Sequence, residues 1–96
     1  MIILRKKEYL IALKAILSFI SKDSKNRVIN FKNNLDDKIE DLKLFPFKFK
    51  QSQNSDDINV RDMIYKGYTI TYLIENVNNR ILILDIITDV THYKHT

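Results

Sequence analysis

The chain has 96 residues, with one Gly, one Pro and no Cys, and its 16 Lys and Arg against 12 Asp and Glu give a formal net charge of +4. This length supports one hydrophobic core and excludes a two-domain enzyme, so we expect residues 1–96 to form a single domain. A single Gly excludes phosphate-binding and dinucleotide-binding loops, and the lack of Cys excludes disulfides, thiolate nucleophiles and Cys-ligated zinc.

The charge is concentrated in the first half of the chain. Residues 1–50 carry 12 Lys and Arg against 6 Asp and Glu, whereas residues 51–96 carry 4 against 6. A basic surface of this kind attracts an acidic protein or a phosphate backbone. The N-terminus lacks the pattern of a signal peptide, and the apolar stretch from Tyr9 to Ile20 is shorter than the roughly 18 to 20 residues that span a bilayer. We therefore expect a cytoplasmic protein without a membrane partner.

The first residues predict an edge strand followed by a helix. Ile2 to Leu4 form a short apolar run that suits an edge strand. From about Lys7 onward, apolar residues recur at the spacing of one helical face: Tyr9, Leu13, Ile16, Leu17 and Ile20. Leu10, Ile11 and Phe19 widen that face, so we expect this helix to be deeply packed.

A second helix is predicted to form a hairpin with the first. Asp23 or Ser24 is suited to cap its N-terminus. Its apolar residues again follow one face: Val28, Phe31, Leu35, Ile39 and Leu42. Pro46 is expected to end the helix, because proline disfavours the helical conformation of the preceding residue and has no N–H to donate. The break between the helices is only a few residues long, so the two must pack side by side.

Three strands are predicted in the second half of the chain. Val60 to Tyr65 leads through a two-residue turn at Lys66-Gly67 into Tyr68 to Glu75, and a second turn precedes Arg80 to Thr88. The last strand is almost continuously apolar, as is typical of a central strand. The predicted fold class is α+β, in the order β-α-α-β-β-β, with the helical hairpin packed on one face of a mainly antiparallel sheet.

The alternation of side chains assigns the two faces of the sheet. The helix-facing residues of the middle strand are predicted to be Tyr68, Ile70, Tyr72 and Ile74. A tight turn pairs Tyr65 with Tyr68, which places Arg61 on the helix side and Val60, Asp62 and Ile64 on the open face. Beneath the helices, Arg61 is expected to pair with a carboxylate of the second helix: Asp36, Asp37, Glu40 or Asp41.

Three segments, taken in order, carry a resemblance to a known family. They are the hairpin from Ile16 through Phe45-Pro46, the segment from Arg61 to Ile74, and the closing strand from Arg80 to Ile87. The middle segment has an Arg, a short strand, a Gly turn and the pattern Tyr-x-apolar-x-Tyr-x-apolar. Over roughly Ile3 to Thr88 the chain resembles the RelE/ParE toxin superfamily. The resemblance implies a small bacterial toxin, encoded beside an antitoxin, that either cleaves messenger RNA in the ribosome or poisons DNA gyrase.

The positions that matter for RNA cleavage separate the two branches of the superfamily. The RelE-like nucleases place Lys residues on the strand before the Gly turn and an Arg directly after the Tyr that follows it. In this sequence those positions correspond to Val60, Asp62 and Thr69, none of which is cationic. The resemblance therefore favours the ParE-like branch, a toxin of a type II toxin-antitoxin system that inhibits growth through DNA gyrase and is neutralised by a cognate antitoxin.

Two alternatives remain open. A ribosome-dependent mRNA endoribonuclease would need catalytic groups from the C-terminal tail, which offers His92, Tyr93, Lys94 and His95. A degenerate, non-toxic relative would only bind its antitoxin and help it repress their operon. We expect no cofactor and no metal for any of the three.

The residues that would bind an antitoxin or a target are expected among the basic side chains. These candidates are Lys22, Lys25, Arg27, Lys48, Lys50 and Arg61. Lys48 and Lys50 alternate with Phe47 and Phe49. The alternation fits a nucleic-acid clamp, but burial of both Phe side chains beside exposed lysines is the favoured interpretation.

Overall fold

The computed structural model describes residues 1–88 and forms two layers, a helical hairpin on one face of a four-stranded sheet. The elements are β1 Ile2–Arg5, α1 Lys7–Ser21, α2 Lys25–Asp41, β2 Val60–Tyr65, β3 Tyr68–Glu75 and β4 Arg80–Thr88. The sheet order is β1-β4-β3-β2, with β1 parallel to β4 and the other neighbours antiparallel. The predicted fold class and order of elements are confirmed. Neither helix has the length and apolar character needed to cross a membrane.

The hairpin turn is fixed by a side-chain cap. Ser24 is the N-cap of α2, and its Oγ accepts a hydrogen bond from the backbone N–H of Arg27 at 3.3 Å. This satisfies one of the free donors of the first helical turn. The α-helix ends at Asp41, and a turn continues to Leu44, whose N–H donates to the Asp41 carbonyl. The N-terminus of α2 lies at the predicted Ser24 cap, and the turn that follows its C-terminus ends two residues before Pro46.

The core lies between the hairpin and one face of the sheet. Tyr65 pairs with Tyr68 across the β2–β3 turn, so the predicted register is confirmed. The buried apolar residues are Tyr9, Leu13, Phe31, Leu35, Ile39, Leu42, Met63, Tyr65, Ile70, Tyr72, Ile74, Ile81, Ile83 and Ile86. Removing such side chains from water contributes about 1.5 to 3 kcal/mol each, which holds the two layers together.

The expectation that α1 is deeply packed is wrong for part of the helix. Leu10, Ile11 and Phe19 are 49%, 60% and 67% exposed. The helix contacts β4 on one side and α2 on another, and no further layer within residues 1–88 covers its outer side. A two-layer fold can bury only one stripe of each helix. Apolar residues beyond that stripe are therefore left on the surface.

The second face of the sheet also carries apolar side chains. The strand register places Leu4, Leu82, Leu73 and Val60 in one row across all four strands of this open face. A second row on this face runs from Ile64 through Thr69 to Ile87, and its two Ile side chains are 51% and 46% exposed. Neither helix reaches this face, because both lie against the core side.

Candidate functional site

Three of the predicted cations lie together at the end of the helical hairpin. Lys22, Lys25 and Arg27 surround the Ser24 cap and are all exposed. Arg27 Nη1 lies 3.7 Å from Asp23 Oδ2, in an ion pair whose side chains are both more than 70% exposed. Such pairs contribute little to stability, so these cations remain accessible to a partner.

A cavity of about 410 Å³ opens beside these cations, between the hairpin turn and the β2–β3 turn. Its lining combines charged and apolar side chains: Phe19, Ile20, Asp23, Arg27, Asn30, Phe31, Lys66 and Tyr68. The ring of Phe31 stands edge-on to Tyr65 and Tyr68, with centroids 5.2 and 5.6 Å apart. These contacts fix an aromatic wall, while Phe19 stays exposed beside it.

The sequence did not predict a place for Lys66 at this cavity or the exposure of Phe19. Lys66 has a left-handed backbone (φ 48°) in the two-residue turn, which brings it to the same end of the molecule as Arg27. The tight turn itself was predicted, but its proximity to the hairpin depends on how the layers stack. Apolar walls with cations around them suit an acidic polypeptide that inserts an aromatic or aliphatic side chain.

Arg61 occupies the helix-side face of β2, yet its predicted ion pair with an α2 carboxylate is wrong. Its Nε donates to the Ile58 carbonyl at 2.8 Å, its Nη1 donates to the Phe49 carbonyl at 2.9 Å, and its guanidinium lies 4.8 Å from the ring centroid of Phe47. The connection between α2 and β2 folds back over β2 and reaches Arg61 first. Asp36 pairs instead with Lys32 and Arg5.

Lys48 and Lys50 lie on this same connection, beside an exposed apolar segment. Leu44, Phe45 and Phe47 are 70%, 69% and 45% exposed, so the expected burial of Phe47 is wrong, whereas Phe49 is half-buried. The Phe47 ring is covered by Arg61 rather than by the core. α2 has 17 residues, which places this segment about 25 Å from the basic end of the hairpin. The six predicted cations therefore do not form one site.

The positions that correspond to the nuclease residues lie where the register predicts. Val60, Asp62 and Thr69 are on the open face, and Asp62 Oδ1 accepts a hydrogen bond from Thr71 Oγ1 at 2.8 Å. On the other side of Thr71 the paired residue is Asp85. The middle of the open face is thus acidic. The tail residues His92, Tyr93, Lys94 and His95 fall outside the described residues.

The fold agrees with the comparisons to known proteins. The family model for the ParE toxin of type II toxin-antitoxin systems, parDE, matches residues 4–91. The chain belongs to the ParE toxin family. The predicted ParE-like branch of the RelE/ParE superfamily is therefore confirmed.

One solved structure shows how closely the fold is shared. The chain is similar to a structure of the chromosomal ParDE TA system from P. aeruginosa, with a TM-score of 0.71 and 13% sequence identity. The match covers 92% of this ParE-family chain and 95% of the other. At this identity the likeness shows the fold alone. A comparison with curated protein sequences finds no match.

Proposed function

We propose that this ParE-family chain inhibits bacterial growth by acting on DNA gyrase and is neutralised by a cognate antitoxin. Membership of the family supports the toxin class. The observation that carries the choice of target is the composition of the open face, where the nuclease branch would need cations and this chain has Val60, Asp62 and Thr69.

The electrostatics of that face oppose RNA cleavage. Cleavage needs cations that stabilise a phosphorane and groups that move protons, converging on one surface. Asp62 would repel the scissile phosphate, and the neutral Thr69 hydroxyl could donate a hydrogen bond to the phosphate but brings no positive charge to it. Arg80 also lies on this face, but its Nε donates to a Glu75 carboxylate oxygen, so its charge is already paired.

The basic end of the hairpin supports the antitoxin part of the proposal. Arg27 lines a cavity of mixed charged and apolar side chains, and the exposed Lys22 and Lys25 lie beside it in the hairpin turn, an arrangement that suits an acidic segment of a partner protein. The similar ParDE structure is that of a toxin-antitoxin system, which is consistent with such a partner.

Two assays with purified protein test the target. We expect loss of DNA supercoiling, or trapped cleavage complexes, with gyrase, and intact message in a translating ribosome system. Message cut at the ribosome would favour the endoribonuclease alternative and overturn the gyrase assignment.

Expression in a bacterial host tests toxicity itself. Induction of this chain alone should slow growth, and co-expression of the antitoxin should restore it. Unimpaired growth at confirmed soluble expression would instead favour the non-toxic, antitoxin-binding relative.

A further inference from the structure

The open face of the sheet is an apolar surface interrupted by two carboxylates. Leu4, Leu82, Leu73 and Val60 form one row, and Ile64, Thr69 and Ile87 form another. Between these rows the register aligns Asp62, Thr71 and Asp85 on three neighbouring strands. Exposed apolar rows that extend across three or four strands are typical of an interaction site.

In the part of the chain that the structure describes, hydrogen bonds hold the two carboxylates in place but no cation pairs with them. Asp62 Oδ1 accepts from the Thr71 hydroxyl at 2.8 Å, and Asp85 Oδ1 accepts from the Ile86 N–H at 2.8 Å. Two strand spacings separate them, so their backbones lie roughly 10 Å apart. Within residues 1–88, neither carboxylate forms an ion pair with a Lys or Arg side chain. Lys48 and Lys50 line a cavity together with Asp62 at the β2 edge of the face, and Asp85 lies two strands further in.

A purely apolar segment that covered this face would bury the Asp62 and Asp85 carboxylates without a cationic partner. A carboxylate that is removed from water without a cationic partner is strongly destabilised. A segment that covers the two apolar rows is therefore stabilised if it brings a positive charge to the row between them, above all to Asp85, which lies away from the Lys48 and Lys50 edge. A basic side chain between Asp62 and Asp85 would supply this charge.

We propose that the open face binds a segment of the antitoxin that combines apolar residues with a Lys or Arg, whose cation pairs with Asp62 and Asp85. This inference rests on the proposed function, because the antitoxin is its occupant. It adds a second, oppositely charged contact to the acidic segment expected at Lys22, Lys25 and Arg27. The two contacts together define the charge pattern that a cognate antitoxin must have.

The same carboxylates disfavour the other occupants of an apolar face. A nucleic acid would bring phosphates against Asp62 and Asp85. A second copy of this chain, related by a two-fold axis, would place its own two carboxylates on the same patch. A polypeptide with a basic residue has neither problem.

The test compares two double variants of equal charge. Asp62→Asn/Asp85→Asn keeps the acceptor oxygens for Thr71 and Ile86, so the fold is preserved, while the charges are lost. Asp37→Asn/Asp56→Asn changes the net charge equally at two exposed residues that belong to none of the three rows of the open face. The affinity of each variant for the purified antitoxin is measured by calorimetry, after the thermal midpoints are shown to match.

We expect the open-face variant to bind the antitoxin about 10-fold more weakly or worse, and the control to bind like the wild type. Substituting the antitoxin's basic residue with Gln should have no further effect on the variant. Unchanged affinity would show that the antitoxin leaves this face uncovered, and tighter binding would show that it covers the face without a cation. Either result overturns this inference and leaves the proposed function untouched. Failure of the wild type to bind the antitoxin would overturn the proposed function as well.

Discussion

The hydroxyl of Tyr72 donates a hydrogen bond to the carbonyl oxygen of Pro46 at 2.6 Å, joining the centre of β3 to the connection that follows α2. Tyr72 is fully buried, so the bond forms where water does not compete. It fixes the backbone on which Leu44, Phe45 and Phe47 are exposed. The position of this apolar segment is therefore set by the core rather than by its own contacts.

The Tyr72→Phe variant should lose this anchor. We expect the free energy of unfolding to fall by about 1 to 3 kcal/mol, because the Pro46 carbonyl is left without its donor. Amide exchange should rise first in the segment around Lys48. Tyr9→Phe is the matched control, since the Tyr9 hydroxyl is buried and has no hydrogen-bond partner within residues 1–88. That variant should be neutral or stabilising, and a clear loss of stability would reveal a partner for this hydroxyl.

The two buried tyrosines also predict alkaline sensitivity. Burial raises the pKa of Tyr9 to about 12, with the nearby Arg5 charge acting in the opposite direction, and burial raises the pKa of Tyr72 to about 12. Above a pH of about 10 the unfolded chain releases these protons first, so stability falls as the pH rises from about 10 to 12. Urea unfolding across this range should show the loss. The decrease in the free energy of unfolding between a pH of about 10 and 12 should be smaller in Tyr9→Phe than in the wild type. Equal decreases in the two proteins would contradict a raised pKa for Tyr9.

The strands were predictable from the sequence because their signals are local. Alternation set the faces of β2 and β3, and the positive φ angles of Gly67 and Asn79 fall in the turns that the sequence marks. The partner of Arg61 was not predictable. Its hydrogen bonds depend on the path of the connection between α2 and β2, in which no short-range periodicity relates Phe49 to Arg61. The surface exposure of Phe19 likewise depends on the number of layers, which one helix cannot reveal.

Arg61 should act through the fold rather than through a partner. Arg61→Lys keeps the charge but cannot reach the Ile58 and Phe49 carbonyls with a planar fork. We expect the free energy of unfolding to drop by about 1 to 2 kcal/mol. Under the proposed function, inhibition of gyrase and affinity for the antitoxin, measured well below the thermal midpoint, should both match the wild type. A selective loss of either activity in the folded variant would place Arg61 in a binding surface instead.

The basic end of the hairpin should govern the rate at which the antitoxin binds. Replacing Lys22, Lys25 and Arg27 with Glu should slow association and flatten its dependence on salt, because long-range attraction acts mainly on the association rate. Lys48→Glu/Lys50→Glu is the comparison variant at the opposite end of α2, where the two lysines line a cavity with Asp62, and stopped-flow mixing with the antitoxin measures both variants. If the hairpin variant associates like the wild type and the comparison variant associates more slowly, the acidic contact lies at the segment around Lys48.

Removal of His92 to Thr96 tests whether the tail performs chemistry. Within residues 1–88 the last buried side chain is Ile86 and β4 ends at Thr88; the deletion removes neither, so the shortened chain should fold normally. Under the proposed function it should inhibit gyrase like the full chain, and both should leave ribosome-bound message intact. A positioned acid or base contributes roughly 10²- to 10⁴-fold to a rate. If only the full chain cuts the messenger RNA, catalysis belongs to the tail. If both proteins cut it, the chemistry lies within residues 1–88, and the argument that the acidic open face opposes cleavage is wrong.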